Sequence, residues 1–177
     1  MKRRNIALIG FRATGKSTVG EVLASDLGLE FLDMDRHLVL NAGRDIAEWV
    51  KQKGWESFRQ AESDLLVRIS ARSGLVVATG GGIVLEEQSR RALREKFFTV
   101  WLKAAPATIF ARLSSDPGSP ATRPPLSNLP MEEEIMKVLL DREPLYAETA
   151  LHRIDTEGKT PVVIAGEISI LYRQAHC

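Results

Sequence analysis

Cysteine is almost missing from this chain of 177 residues: Cys177 stands alone. No intrachain disulfide can form, and a reducing cytoplasm is the expected compartment. An excess of charge is missing too. Lysine and arginine number 24 against 23 acidic residues, a formal net charge of +1. A general nucleic-acid binder would carry a basic face, so no nucleic-acid partner is expected. No apolar stretch approaches the roughly 18 residues of a membrane span, so no membrane partner is expected either. Internal repeats and low-complexity segments are likewise lacking. Met1-Lys2-Arg3-Arg4 ahead of apolar residues faintly resembles a secretion signal. The apolar run ends at Arg12 and contains a phosphate loop, so that reading is rejected. Residues 1–177 then have the length of one domain with a sizeable core.

The chemistry that is present starts at residues 10–18. Gly10-Phe11-Arg12-Ala13-Thr14-Gly15-Lys16-Ser17-Thr18 fits the phosphate-loop pattern G-x-x-x-x-G-K-[ST]. The pattern has meaning only between a strand and a helix. Asn5–Ile9 reads as a short buried strand, and Val19, Val22, Leu23, Ala24 and Leu27 recur at helical spacing. Gly10 and Gly15 permit backbone angles that let successive N–H groups form an anion nest. The positive end of the helix starting near Lys16 adds to it. Gly10, Ala13, Thr14, Gly15, Lys16, Ser17 and Thr18 are the expected nucleotide contacts. Lys16 is expected to reach the β- and γ-phosphates, and the Ser17 hydroxyl to hold Mg²⁺.

Strands and helices alternate along the rest of the chain. Glu30–Asp33, Leu75–Thr79, Phe97–Leu102 and Arg153–Thr156 read as further strands. Helices are expected over much of 35–53 with a break near Asn41-Ala42-Gly43, from Glu56 onward after a stop at Gly54, and over 86–95. Others are expected after Pro106, around Glu132-Glu133-Glu134, and from Pro161 with Thr160 as cap. Prolines and a glycine within Asp116–Pro125 forbid a regular helix there, and about 115–130 reads as a lid that moves. The fold class is α/β: a parallel sheet with helices on both faces, three layers in all. Ligands in such folds collect at the carboxyl ends of the strands. There lie the phosphate loop, Asp33 and Asp35, and Gly80-Gly81-Gly82.

Each of these sets has a plain structural alternative. Asp33 and Asp35 can serve Mg²⁺ and a substrate hydroxyl, or simply cap the next helix. Three glycines let a ligand lie against the main chain, or make a tight turn. Arg59 can pair with Glu62 three residues on, as a surface ion pair worth little or as an anion-binding group. Arg142 in Asp141-Arg142-Glu143-Pro144-Leu145-Tyr146 stands in the same position. Arg123, in the Pro/Gly-rich stretch, is either a solvated loop residue or a cation brought to the phosphates.

Together these residues resemble the shikimate kinase family. The resemblance rests on Gly10–Thr18, Phe31-x-Asp33-x-Asp35, Ser57-Phe58-Arg59-x-x-Glu62, Gly80-Gly81-Gly82, Arg123-Pro124 and Arg142-x-Pro144-Leu145-Tyr146. It covers nearly the whole chain. It implies a P-loop NTPase fold, a five-stranded parallel sheet in the order 2-3-1-4-5. It implies transfer of the ATP γ-phosphoryl group to the 3-hydroxyl of shikimate, within aromatic amino-acid biosynthesis. ATP is then co-substrate, with one Mg²⁺ per subunit held by Ser17 and Asp33. Lys16, Asp35 and Arg123 would be catalytic. Asp35, Arg59, Gly81, Gly82 and Arg142 would bind shikimate, the two arginines taking its carboxylate. Arg112, Lys159 and Arg123 would complete the nucleotide site, and a monomer is expected. Two departures stand out. The lid pattern Arg-Pro-Leu-Leu is here Arg123-Pro124-Pro125-Leu126, and Lys159 occupies an adenine-loop position where arginine is common, although lysine does not stack like arginine.

Two rivals share part of this set. A related small-molecule kinase, such as a gluconate kinase, needs the phosphate loop but not Arg59 with Arg142. A nucleotide-binding switch without a small substrate leaves Arg59, Gly80–Gly82 and Arg142 unexplained. On the phosphate-loop reading, Lys16→Met is expected to cut turnover by about three orders of magnitude while circular dichroism shows an intact fold. An active variant would remove Lys16 from the chemistry.

Overall fold

The computed structural model of the chain describes residues 4–116 and 124–175. Arg123, Cys177 and the 117–123 part of the stretch read as a lid lie outside the described residues. Five strands, β1 Asn5–Ile9, β2 Glu30–Asp33, β3 Leu75–Ala78, β4 Phe97–Lys103 and β5 His152–Asp155, alternate with helices. The helices are α1 Lys16–Leu27, α2 Met34–Ala42, α3 Ile46–Ser70, α4 Glu87–Lys96, α5 Pro106–Ser115, α6 Met131–Thr149 and α7 Pro161–Gln174. The sheet is parallel throughout, in the order β2-β3-β1-β4-β5.

Both faces of this sheet are covered, as its strand composition requires. Ala7, Ile9, Leu75, Val77, Phe97 and Trp101 point to one side, into a cluster with Leu66 of α3, Leu93 of α4 and Tyr146 of α6. The alternate residues Ile6, Leu8, Val76, Phe98, Val100 and Leu102 point to the other, against Leu23 of α1 and Ile168 of α7. A smaller cluster of Phe11, Ile109, Leu113 and Ile135 seats the start of the phosphate loop on α5 and α6. Among the described residues no helix is long and apolar enough to cross a membrane.

The element boundaries differ from the sequence reading on three strands. β3 stops at Ala78, and Thr79 just beyond it donates its N–H and hydroxyl to Leu8 O, at 3.1 and 3.0 Å. β4 runs one residue further than read, to Lys103. β5 begins at His152 and ends at Asp155, each one residue earlier than read, and Thr156 just beyond it donates its N–H to Lys103 O at 2.9 Å. Gly54 does interrupt the helical run, with φ 77° and ψ 167°, but the helix resumes at once at Trp55. Thr160 caps α7 by accepting from Val163 N, and Pro161 follows at the first position.

Asn5 opens an otherwise apolar strand, and its partners explain it. Its amide donates to Arg72 O at 2.9 Å and accepts from Leu75 N at 3.0 Å, tying the start of β1 to the turn between α3 and β3. Asn5→Ala leaves a buried N–H unmet and is expected to lower stability by about 2 kcal/mol. Denaturant unfolding checks this, with activity per folded molecule unchanged; a loss under about 0.5 kcal/mol would mean that water replaces both bonds.

Candidate active site

Two clefts open where the strands end. The larger, about 1170 Å³, runs along the phosphate loop and is lined by Gly15, Lys16, Ser17, Asp33, Arg112 and Lys159 among others. The smaller, about 410 Å³, is lined by Trp55, Phe58, Arg59, Glu62, Gly82 and Arg142 among others. Arg12, Asp35 and Gly81 line both. These residues are the wall between the two.

The loop has the backbone that an anion nest needs. Gly10, Ala13 and Gly15 have φ of 140°, 61° and 97°. A Cβ at Gly10 would collide with the main-chain oxygen of Leu102, so only glycine fits. Gly15 starts α1 and no side chain caps that helix, which leaves its first N–H groups for a ligand. Thr14 closes the loop through its hydroxyl onto Phe11 O at 2.9 Å. Lys16 is buried, and its ammonium donates to Gly10 O at 2.9 Å and Phe11 O at 2.8 Å, across the loop's mouth. Arg112 donates to Ala13 O at 3.0 Å, and Lys159 pairs with Glu167 at 2.9 Å on the far side of the cleft.

At Asp33 one carboxylate makes both the helix cap and a contact to the phosphate loop. Its Oδ1 accepts from Arg36 N at 3.1 Å, capping α2, while Oδ2 accepts from the Ser17 hydroxyl at 2.5 Å. Hydroxyl and carboxylate oxygens brought together at a polyphosphate cleft are the hard donors that Mg²⁺ takes. The donor set fits that ion.

In the smaller cleft the arginines are not on the surface. The Arg59 side chain is 12% exposed and its partner Glu62 1% exposed; their pairing is buried, not solvated. Arg59 also lies over the Trp55 ring, 4.9 Å from its centroid. Arg142 is buried and donates to Gly81 O at 3.1 Å, beside the Tyr146 hydroxyl that donates to the same oxygen. Burial pushes the Arg142 guanidinium below its ordinary value and the Tyr146 hydroxyl up to about 12. Two guanidinium groups sharing one buried wall make a site for an anion.

Gly80 and Gly82 have a packing role that the sequence reading did not give. A Cβ at Gly82 would overlap the Arg59 guanidinium, and one at Gly80 would overlap the Glu62 carboxyl. Gly80 and Gly82 therefore make room for the ion pair itself. At Gly81 it is the carbonyl that is used, by Arg142 and Tyr146. Arg12 and Glu134 were missed, and so was the burial of Glu62. Arg12 sits at a free position of the loop pattern, and Glu134 reads as one more acidic residue of a helix start.

Burial, above all, pushes the Glu62 carboxyl from 4.5 up to about 7; Arg59 lowers it, and Asp35 raises it further. Between those values the folded protein holds a proton that the unfolded chain releases. This contribution to stability is complete below pH about 4.5 and is lost as pH rises through about 7. Thermal melts across that window are expected to show the midpoint falling with pH, and Glu62→Gln to flatten the fall. An equal slope in the variant would assign it to other groups.

The chain is similar to known proteins over most of its length. A family model described as shikimate kinase matches residues 12–172. The shikimate kinase of Nitratidesulfovibrio vulgaris is 45% identical over 157 residues, covering 89% of this chain and 88% of its own. Shikimate kinase 2 of an Enterobacter species is 41% identical over 170 residues, 96% of each chain. The solved shikimate kinase of Acinetobacter baumannii, in complex with shikimate, superposes with a TM-score of 0.90 at 32% identity, covering 97% of this chain and 94% of that one.

Proposed function

The chain belongs to the shikimate kinase family, and from that premise we propose which of its groups carry out the transfer. The protein is an ATP-dependent kinase that moves the γ-phosphoryl group to the 3-hydroxyl of shikimate, giving shikimate 3-phosphate and ADP. The observation that supports the assignment of roles is the shared wall of Arg12, Asp35 and Gly81 between a phosphate-loop cleft and an arginine-lined cleft.

ATP occupies the larger cleft, its phosphates on Gly10, Ala13, Thr14, Gly15, Lys16, Ser17 and Thr18, its base toward Arg112 and Lys159. Shikimate occupies the smaller one. Its carboxylate meets Arg59 and Arg142, with the main chain of Gly81 and Gly82 alongside. Its 3-hydroxyl meets Asp35, which orients the oxygen and stands where the proton can go. That oxygen attacks the γ-phosphorus, the bond to the bridging oxygen breaks, and ADP leaves. Lys16 balances the charge that spreads over the phosphoryl oxygens. Arg123, outside the described residues, is assigned the same task. Ser17 and Asp33 would hold one Mg²⁺ per subunit, which would supply further positive charge to the polyphosphate. The protein acts as one kinase unit, a cytoplasmic monomer.

The rivals are disfavoured by the same burial. A gluconate kinase or a nucleotide switch has no use for Arg59 and Arg142 desolvated beside a glycine-lined cleft. ADP release measured with shikimate and with gluconate is expected to respond to shikimate alone. Arg59→Ala is expected to raise KM for shikimate roughly 10- to 100-fold, the worth of one charge-assisted contact, and to leave KM for ATP within about twofold. A variant that loses ATP affinity instead would put Arg59 on the wrong substrate.

A further inference from the structure

Arg12 is the cation that the phosphate loop itself carries into the wall between the clefts, and it is held from two sides. Its Nη1 donates to Pro124 O at 3.0 Å, and its Nη2 pairs with Oε1 of Glu134 in the first turns of α6. The arginine side chain is 13% exposed and the glutamate side chain 3%. The second oxygen of Glu134 accepts from Leu126 N at 2.8 Å, Ser127 N at 2.7 Å and the Ser127 hydroxyl at 3.0 Å. One buried carboxylate is thus divided. Oε2 fastens the chain at 126–127, and Oε1 aims a guanidinium.

Three donors on Oε2 already secure that segment, so holding it does not require Oε1. What the Oε1 contact adds is the direction of Arg12. A long side chain has several rotamers, and fixing it in advance removes that search from the reaction step. Charge on the transferring phosphoryl group develops where the nucleotide cleft meets the acid cleft, and a cation fixed there beforehand stabilises it without reorganising.

We infer that Glu134 is a positioning residue for phosphoryl transfer: it holds the Arg12 guanidinium at the boundary between the two clefts, facing the group in transit. The inference rests on the assignment of those clefts to nucleotide and acid.

Glu134→Gln separates the two tasks of the carboxylate. The amide oxygen can stay on Leu126 N and Ser127 N, while the amide NH₂ then meets Arg12 donor to donor. Steady-state ADP release with shikimate is compared for wild type, Glu134→Gln, Arg12→Met and the double variant. Each single variant is expected to lose about tenfold or more in kcat, with KM for ATP and shikimate within about twofold. The double variant is expected to be no slower than the worse single one by more than about twofold, because both changes remove one effect. Losses that multiply in the double variant, or fall on KM alone, overturn the inference. If Glu134→Gln does not fold, Arg12→Met alone decides: an unchanged kcat overturns the inference and a loss confined to kcat supports it. The wild type tests the underlying assignment separately. No shikimate-dependent ADP release there overturns both, whereas an active wild type with unaffected variants overturns only the positioning.

Discussion

A guanidinium and a carboxylate, Arg59 and Glu62, are buried side by side, and much of the site follows from keeping them there. Taking either charge out of water alone costs several kcal/mol. Their spacing on α3 brings them together, the Trp55 ring covers the guanidinium, and the missing side chains of Gly80 and Gly82 give them room. The glycine run at the end of β3 and the Phe58-Arg59-x-x-Glu62 stretch of α3 are therefore one packing unit, although 20 or so residues separate them. The pair is not fully compensated. Burial raises the Glu62 carboxyl to about 7 although Arg59 lowers it, so desolvation outweighs what the guanidinium returns.

Holding a polyphosphate and an organic acid in neighbouring clefts sets two like charges against each other. The fold keeps their sources of positive charge apart. On one side stand the loop N–H groups, the free start of α1 and Lys16; on the other stand Arg59 and Arg142. Parallel strand pairing makes this possible, because every carboxyl end lies along one edge. β1 delivers the phosphate loop there, β2 delivers Asp33 and Asp35, and β3 delivers the glycines. The wall between is thin, three residues contributed by the first three strand ends and the loop.

The strands and the phosphate loop were legible because their signals are local. The apolar runs of β1, β3 and β4 mark strands buried on both faces, and the loop pattern carries its own backbone requirement. Burial was not legible in the same way. A spacing of three residues says that Arg59 and Glu62 touch; it says nothing about what covers them, and a surface pair was the natural default. Arg12 was hidden for a different reason. The loop pattern leaves its position free, and its partner Glu134 lies 122 residues away in sequence. Asp33 was posed as a choice between helix cap and functional group, but a carboxylate has two oxygens, and here one caps α2 while the other accepts from Ser17 of the loop.

Lys16 shows how the loop prepares its charge before any nucleotide arrives. A lysine in a groove open to solvent would have to lose both water and rotamer freedom on binding phosphate. Here the ammonium is already buried and directed by two carbonyls of its own loop, Gly10 O and Phe11 O. A phosphate oxygen entering the nest would meet a group that is already desolvated and directed across the mouth. Gly10 is central to both halves of this arrangement. Its φ of 140° turns the main chain into the nest, and its carbonyl holds the lysine. A side chain there would strike Leu102 O at the end of β4, which links the geometry of the loop directly to the packing of the sheet beneath it.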